Sequence, residues 1–151
     1  MPIIELPPFA PFLVTAIFVS FSRGAITNAL LLLAPIWGAV NLWYANPINH
    51  WQLTLFSLEI KPVYIDELSL VFGFIIHIAA LFSIIYALHI RDKMQQLATL
   101  VYAAAALGAI FSGDLLTLFI FWELMAISSV FLIWARRTER ALASGFRYFI
   151  Y

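Results

Sequence analysis

The chain has no cysteine among its 151 residues, so disulfides and thiolate metal sites are excluded. Charge is nearly as scarce. Only 11% of residues are Asp, Glu, Lys or Arg, against about a quarter in an ordinary soluble domain. The eight basic and eight acidic residues cancel, which leaves no basic stripe for a nucleic acid. Gly-rich phosphate loops, nucleophile elbows and metal-spaced histidine pairs are also missing, so neither a metal or cofactor nor an enzyme activity of the chain by itself is expected. The opening MPIIELPPFAPF carries an acid and no basic start, and a cleaved signal peptide is not expected.

What remains is apolar. Hydrophobic residues make up 64% of the chain and the mean hydropathy is +0.99. No aqueous core hides so much apolar surface in 151 residues, so the expected solvent is lipid. The apolar runs predict an all-α membrane protein forming a single membrane domain over 1–151. Five spans are expected, at about 9–21, 25–44, 68–90, 97–111 and 115–135. A sixth begins near Ala141 and is incomplete. Pro35 falls inside the second helix, and the alanines of the fourth suit close helix packing.

The basic residues alternate between the connections. Arg23, Arg91, Lys93, Arg136, Arg137 and Arg140 fall on one side, and Lys61 alone on the other, with Arg147 left out as part of helix six. The positive-inside rule then places the N-terminus outside, and the chain is expected to be a multi-pass protein of the inner (cell) membrane. The extracytoplasmic loop 45–66 partly alternates: Leu53 and Leu55, Leu58 and Ile60, Val63 and Ile65. That pattern predicts two short strands, with Asp66 capping the next helix.

Three residues stand out chemically. Glu123 lies nine residues after Asp114, roughly 13 Å from one end of its helix and 18 Å from the other. A carboxylate at that depth costs about 2.5–3.5 kcal/mol on insertion scales. An acid that switches between neutral and charged there suits a proton path; the plainer alternative is a protonated acid bonded to a neighbouring helix. Ser128 and Ser129 fall off its helical face and are not expected to bond it. His77, three turns into helix three, is either a proton relay or simply hydrogen-bonded. Arg147, roughly 9 Å into helix six, either snorkels to the interface or supplies a cation at the inner end of a hydrophilic path.

The stretch GDLLTLFIFWELMAISSVFLIW, followed after a basic turn by ALASGFRYFIY, resembles helices five and six of the antiporter-like membrane subunits. These occur in respiratory complex I, membrane-bound hydrogenases and Mrp-type cation/proton antiporters, where the likeness is to the D-like subunit. YIDELSLVFGFII is similar to the entry of the family's third helix, and LPPFAPFLVTAI to its first. The resemblance implies an N-terminus outside and gives Glu123 the place of the key glutamate of helix five. It also implies about fourteen helices, a lysine on helix seven that this chain does not contain, and a lysine where Arg147 stands. The expectation is therefore an N-terminal piece of a split subunit in a proton or cation translocation module. Its partners would be other membrane subunits, including a chain supplying the missing helices, and the lipid bilayer. Such a module belongs to an ion-translocating oxidoreductase or a secondary antiporter. The competing expectation is a structural or assembly subunit that has lost transport.

Overall fold

The structure is a computed structural model and describes residues 6–45, 50–55, 58–89, 92–135 and 138–150. Six helices and one hairpin follow in chain order: α1 (Ala10–Phe21), α2 (Ala25–Trp43), β1 (His50–Leu55), β2 (Leu58–Tyr64), α3 (Glu67–Ala87), α4 (Lys93–Ile110), α5 (Leu115–Trp134) and α6 (Glu139–Ile150). The chain is mainly helical, and the two strands are those that the alternation predicts. They pair antiparallel from His50–Tyr64 to Leu55–Leu58, with an irregularity between Trp51 and Leu53.

Local chemistry sets the helix ends. Asp66 caps α3 as expected: its carboxylate accepts the Ser69 N–H at 2.7 Å, while Ser69 Oγ accepts the Asp66 N–H at 2.9 Å. Asp92 caps α4 by accepting the Met94 N–H. Thr138 Oγ1 accepts the Ala141 N–H at 3.1 Å, which starts α6 at Glu139 rather than near Ala141. Arg91, Arg136 and Arg137 lie outside the described residues.

The first four helices close a ring, since α1 packs on α2 and α4, α2 on α3, and α3 on α4. Its core joins Phe12, Ala16 and Val19 of α1, Leu31, Ala34 and Leu42 of α2, Ala80 and Ile84 of α3, and Leu100, Ala103, Ala104 and Leu107 of α4. Val63 and Ile65, from β2 and the turn after it, join this cluster. The run Ala103–Gly108 is buried throughout; its four alanines and Gly108, with side chains of one carbon or none, let neighbouring backbones approach α4 closely, and Leu107 fills the core between them. Helix α5 is added outside the ring on α4, and α6 packs on α5.

The expected count of five spans is not met by length and composition. Among the described residues three helices are long and apolar enough to cross a membrane: α2, α3 and α5. Helix α1 has 12 residues, about 18 Å against a hydrocarbon core of about 30 Å. Helix α4 has 18, but it opens with Lys93, Gln95 and Gln96 and continues in alanine, which lowers its hydropathy.

Candidate functional site

Glu123 falls midway along α5, on an exposed face shared with Phe119, Ile120 and Trp122. Among the described residues its side chain enters no hydrogen bond or ion pair. Neither serine that follows it serves as a partner, as the helical spacing predicts. Ser128 Oγ donates to the Met125 carbonyl at 3.0 Å and Ser129 Oγ to the Ala126 carbonyl at 2.6 Å. Between α4 and α5 runs an apolar groove of about 320 Å³ lined by Leu97, Val101, Leu124, Ile127 and Phe131 among others, and Glu123 does not line it.

The position of α5 is fixed at both ends. At its start, Asp114 accepts three hydrogen bonds: from the Thr117 N–H at 2.8 Å, from Thr117 Oγ1 at 2.7 Å and from the Lys61 N–H at 2.8 Å. Burial pushes the Asp114 carboxyl upward, but these bonds outweigh it and hold the group below the usual carboxylate range. Two backbone bonds complete the link to the hairpin, from Gly113 N–H to Lys61 O at 2.9 Å and from Tyr64 N–H to Phe111 O at 2.7 Å. Further along, the Phe121 ring lies against Gly108 of α4, where a Cβ would stand 2.2 Å from it. At the far end, Trp134 lies against Gly145 of α6 and 5.4 Å from the Phe146 ring.

His77 sits inside the ring, 2% exposed. Its Nδ1 lies 2.7 Å from the Gly73 carbonyl. A carbonyl only accepts, so Nδ1 carries a proton. Nε2 is buried without a partner among the described residues and faces Gly38 of α2, where a Cβ would stand 2.4 Å away. The ring centroid lies 5.4 Å from that of Phe12 on α1. Arg147 is exposed on α6. The three singled-out residues thus lie on three different elements, and no hydrogen bond among the described residues joins any two of them.

One residue counted in the sequence only as a charge has a defined place. Lys93 Nζ donates to the carbonyls of Val19 at 2.8 Å, Ser20 at 3.0 Å and Ser22, closing the C-terminal end of α1 from the start of α4. Its three N–H donors match the three acceptors, and its charge faces the negative end of the helix dipole. A cation at the first position of α4 carried the hint, but which carbonyls it reaches depends on the ring closing.

A helical chain with these three apolar spans and this composition is a membrane-type protein. Within that class, comparison with known proteins narrows the likeness. Over 88 residues, 55% of the chain, it is 32% identical to the Na(+)/H(+) antiporter subunit A1 of Staphylococcus haemolyticus (strain JCSC1435). The same identity holds for the A1 subunits of Staphylococcus aureus strains bovine RF122 / ET3-1 and Newman. The matched stretch covers 11% of the length of those proteins. No protein-family model matches the chain. The likeness therefore supports the antiporter-like family at large and does not support the narrower D-like subunit expected from the sequence.

Proposed function

We propose that this chain forms part of a cation/proton translocation module in a multisubunit membrane complex, with Glu123 as its proton-exchanging group. The observation that carries the reading is the 32% identity to an Na(+)/H(+) antiporter subunit, taken together with an acid at the centre of an apolar helix. In this reading α1–α5 all cross the membrane with the N-terminus outside. Helix α4 needs little hydropathy of its own, because α1, α3 and α5 cover it.

The exposed face of α5 that carries Glu123 supports a second feature. A carboxylate facing hydrocarbon is costly, so in the working assembly this face meets further helices, a hydrated path or both. In the split-subunit form of the reading those helices come from a partner chain. A cation brought to Glu123 favours its charged form and withdrawal of that cation favours the neutral one, which loads and releases a proton. Arg147 at the inner end of that path is the cation this chain offers. A relay through His77 requires a proton donor or acceptor to reach Nε2 inside the ring.

The test is ion flux in proteoliposomes holding the whole complex. Glu123→Gln keeps the volume and removes the titration, so assembly is expected to persist while proton or sodium flux falls strongly. Glu123→Asp keeps the acid and part of the flux. Full flux from the Gln variant would overturn the role of Glu123 and favour a structural subunit.

A further inference from the structure

At the end of the ring where α1 finishes and α2 and α4 begin, the structure contains an open cavity of about 480 Å³. Its walls include Arg23, Thr27, Asn28, Lys93 and Gln96. Such a volume falls within the range of about 300–1,000 Å³ typical of small-molecule sites. The lining is unusual for this chain. Two of its few cations meet there, together with two amides, in a molecule that is 64% hydrophobic.

The two cations differ in what they have left to give. Lys93 has committed its three N–H donors to the carbonyls of α1, so it contributes charge but no further hydrogen bond. Arg23 is exposed and enters no hydrogen bond among the described residues, so its planar fork is available to grip two oxygens of one group. Asn28 adds an amide to the same cavity. Asp92, the acid next in sequence, accepts the Met94 N–H at the start of α4. Immediately beside the turn between α1 and α2, Phe21 and Ile26 are 86% and 66% exposed. The wall is thus cationic and hydrogen-bonding, and its neighbours in the chain are bare hydrocarbon.

We propose that this cavity binds the phosphate group of an anionic phospholipid, with Arg23 as the gripping side chain, Lys93 as a fixed positive charge, and Phe21 and Ile26 against the acyl chains. A basic pocket between helices at a membrane face is the setting in which anionic headgroups are held. The site lies apart from Glu123 and stands or falls independently of ion translocation.

The experiment is native mass spectrometry of the protein, purified in detergent with any chains that accompany it, after addition of phosphatidylglycerol or of phosphatidylcholine with the same acyl chains. Phosphatidylglycerol is expected to be retained about tenfold more, because phosphatidylcholine offers the same phosphodiester but adds a quaternary ammonium that Arg23 and Lys93 repel. Arg23→Gln should cut that preference severalfold and leave only what the charge of Lys93 supplies, and Arg23→Lys should restore only part of the loss, since the charge returns without the fork. Arg23 is exposed, so neither variant threatens the fold. Equal retention of the two lipids, or an undiminished preference in Arg23→Gln, would overturn the proposal. Displacement of phosphatidylglycerol by millimolar inorganic phosphate would assign the cavity to free phosphate and overturn the lipid assignment.

Discussion

In the α1–α4 ring, large side chains such as Phe12, Leu42, Leu100 and Leu107 are fully buried around the small ones of α4, while on α5 and α6 many large apolar side chains are exposed. Helix α4 buries an unbroken run from Ala103 to Gly108. Helix α5 is apolar enough to cross a membrane, yet only 17% of its spanning window is buried, against 33% for α2 and 28% for α3. No residue of α5 belongs to the buried core cluster. Hydropathy and burial thus part company. In lipid an apolar surface gains nothing by turning inward, so the most central helix is the one with the smallest side chains. The outlying helix carries the aromatic and branched ones, and it also carries Glu123.

This contrast is open to direct attack at the contact that joins its two halves. Gly108→Leu inserts a side chain where a Cβ already falls 2.2 Å from the Phe121 ring. The cost should reach about 3 kcal/mol, read as a lower thermal unfolding midpoint in detergent. An unchanged midpoint would mean that α5 is not clamped to the ring through this pair.

A smaller effect is expected where the hairpin holds the start of α5. Asp114→Ala removes the helix cap and the bond to Lys61, at about 1–2 kcal/mol. The sign of the pH dependence follows from the lowered folded-state pKa. Asp114 contributes stability above its unfolded value of 3.8 and loses it as pH falls through the folded value. Asp66, lowered first of all by the hydrogen bond from the Ser69 hydroxyl, acts in the same sense. Acid titration of the unfolding midpoint should therefore flatten in Asp114→Asn and flatten further when Asp66→Asn is added. Parallel acid profiles for wild type and the double variant would count against both caps.

The smallest effect sharpens the comparison most. Ile120 is 55% exposed on α5, so Ile120→Ala should shift the stability of the isolated chain by less than about 0.5 kcal/mol. In an assembly that covers this face, the same change should cost about 2 kcal/mol or more. Equal, small shifts in both preparations would mean that the face stays in lipid.

The starts of α3 and α5 were legible because their apolar runs begin at residues with a physical reason to begin them, Asp66 and Asp114, whereas α4 starts at Lys93, four residues before its apolar run at Leu97. The hairpin was legible from the alternation around Leu53, Ile60 and Val63. The burial of the fourth run was not. Leu97–Phe111 reads as lipid-facing when alanine and leucine are weighed alike, and the ring closes around it instead. For Glu123 the depth along the helix was legible from residue spacing, but the direction it faces was not. Helix α5 is apolar nearly all round, so no stripe marks an inward side. The pairings of Lys93 with α1 and of Asp114 with Lys61 join residues 53 to 74 positions apart, and short-range pattern does not reach so far.

The Lys93 contact also orders events in time. Three carbonyls at the end of α1 receive their donors from a residue that leaves the ribosome 71 to 74 positions after they do. Until Lys93 emerges, the Val19 carbonyl has, among the described residues, only the Ser22 N–H and hydroxyl as donors, and the Ser20 and Ser22 carbonyls lack their lysine donor. The shortest of the ring's helices is therefore finished last, when the fourth arrives. Any stall in synthesis before residue 93 leaves the amino-terminal helix without its clasp.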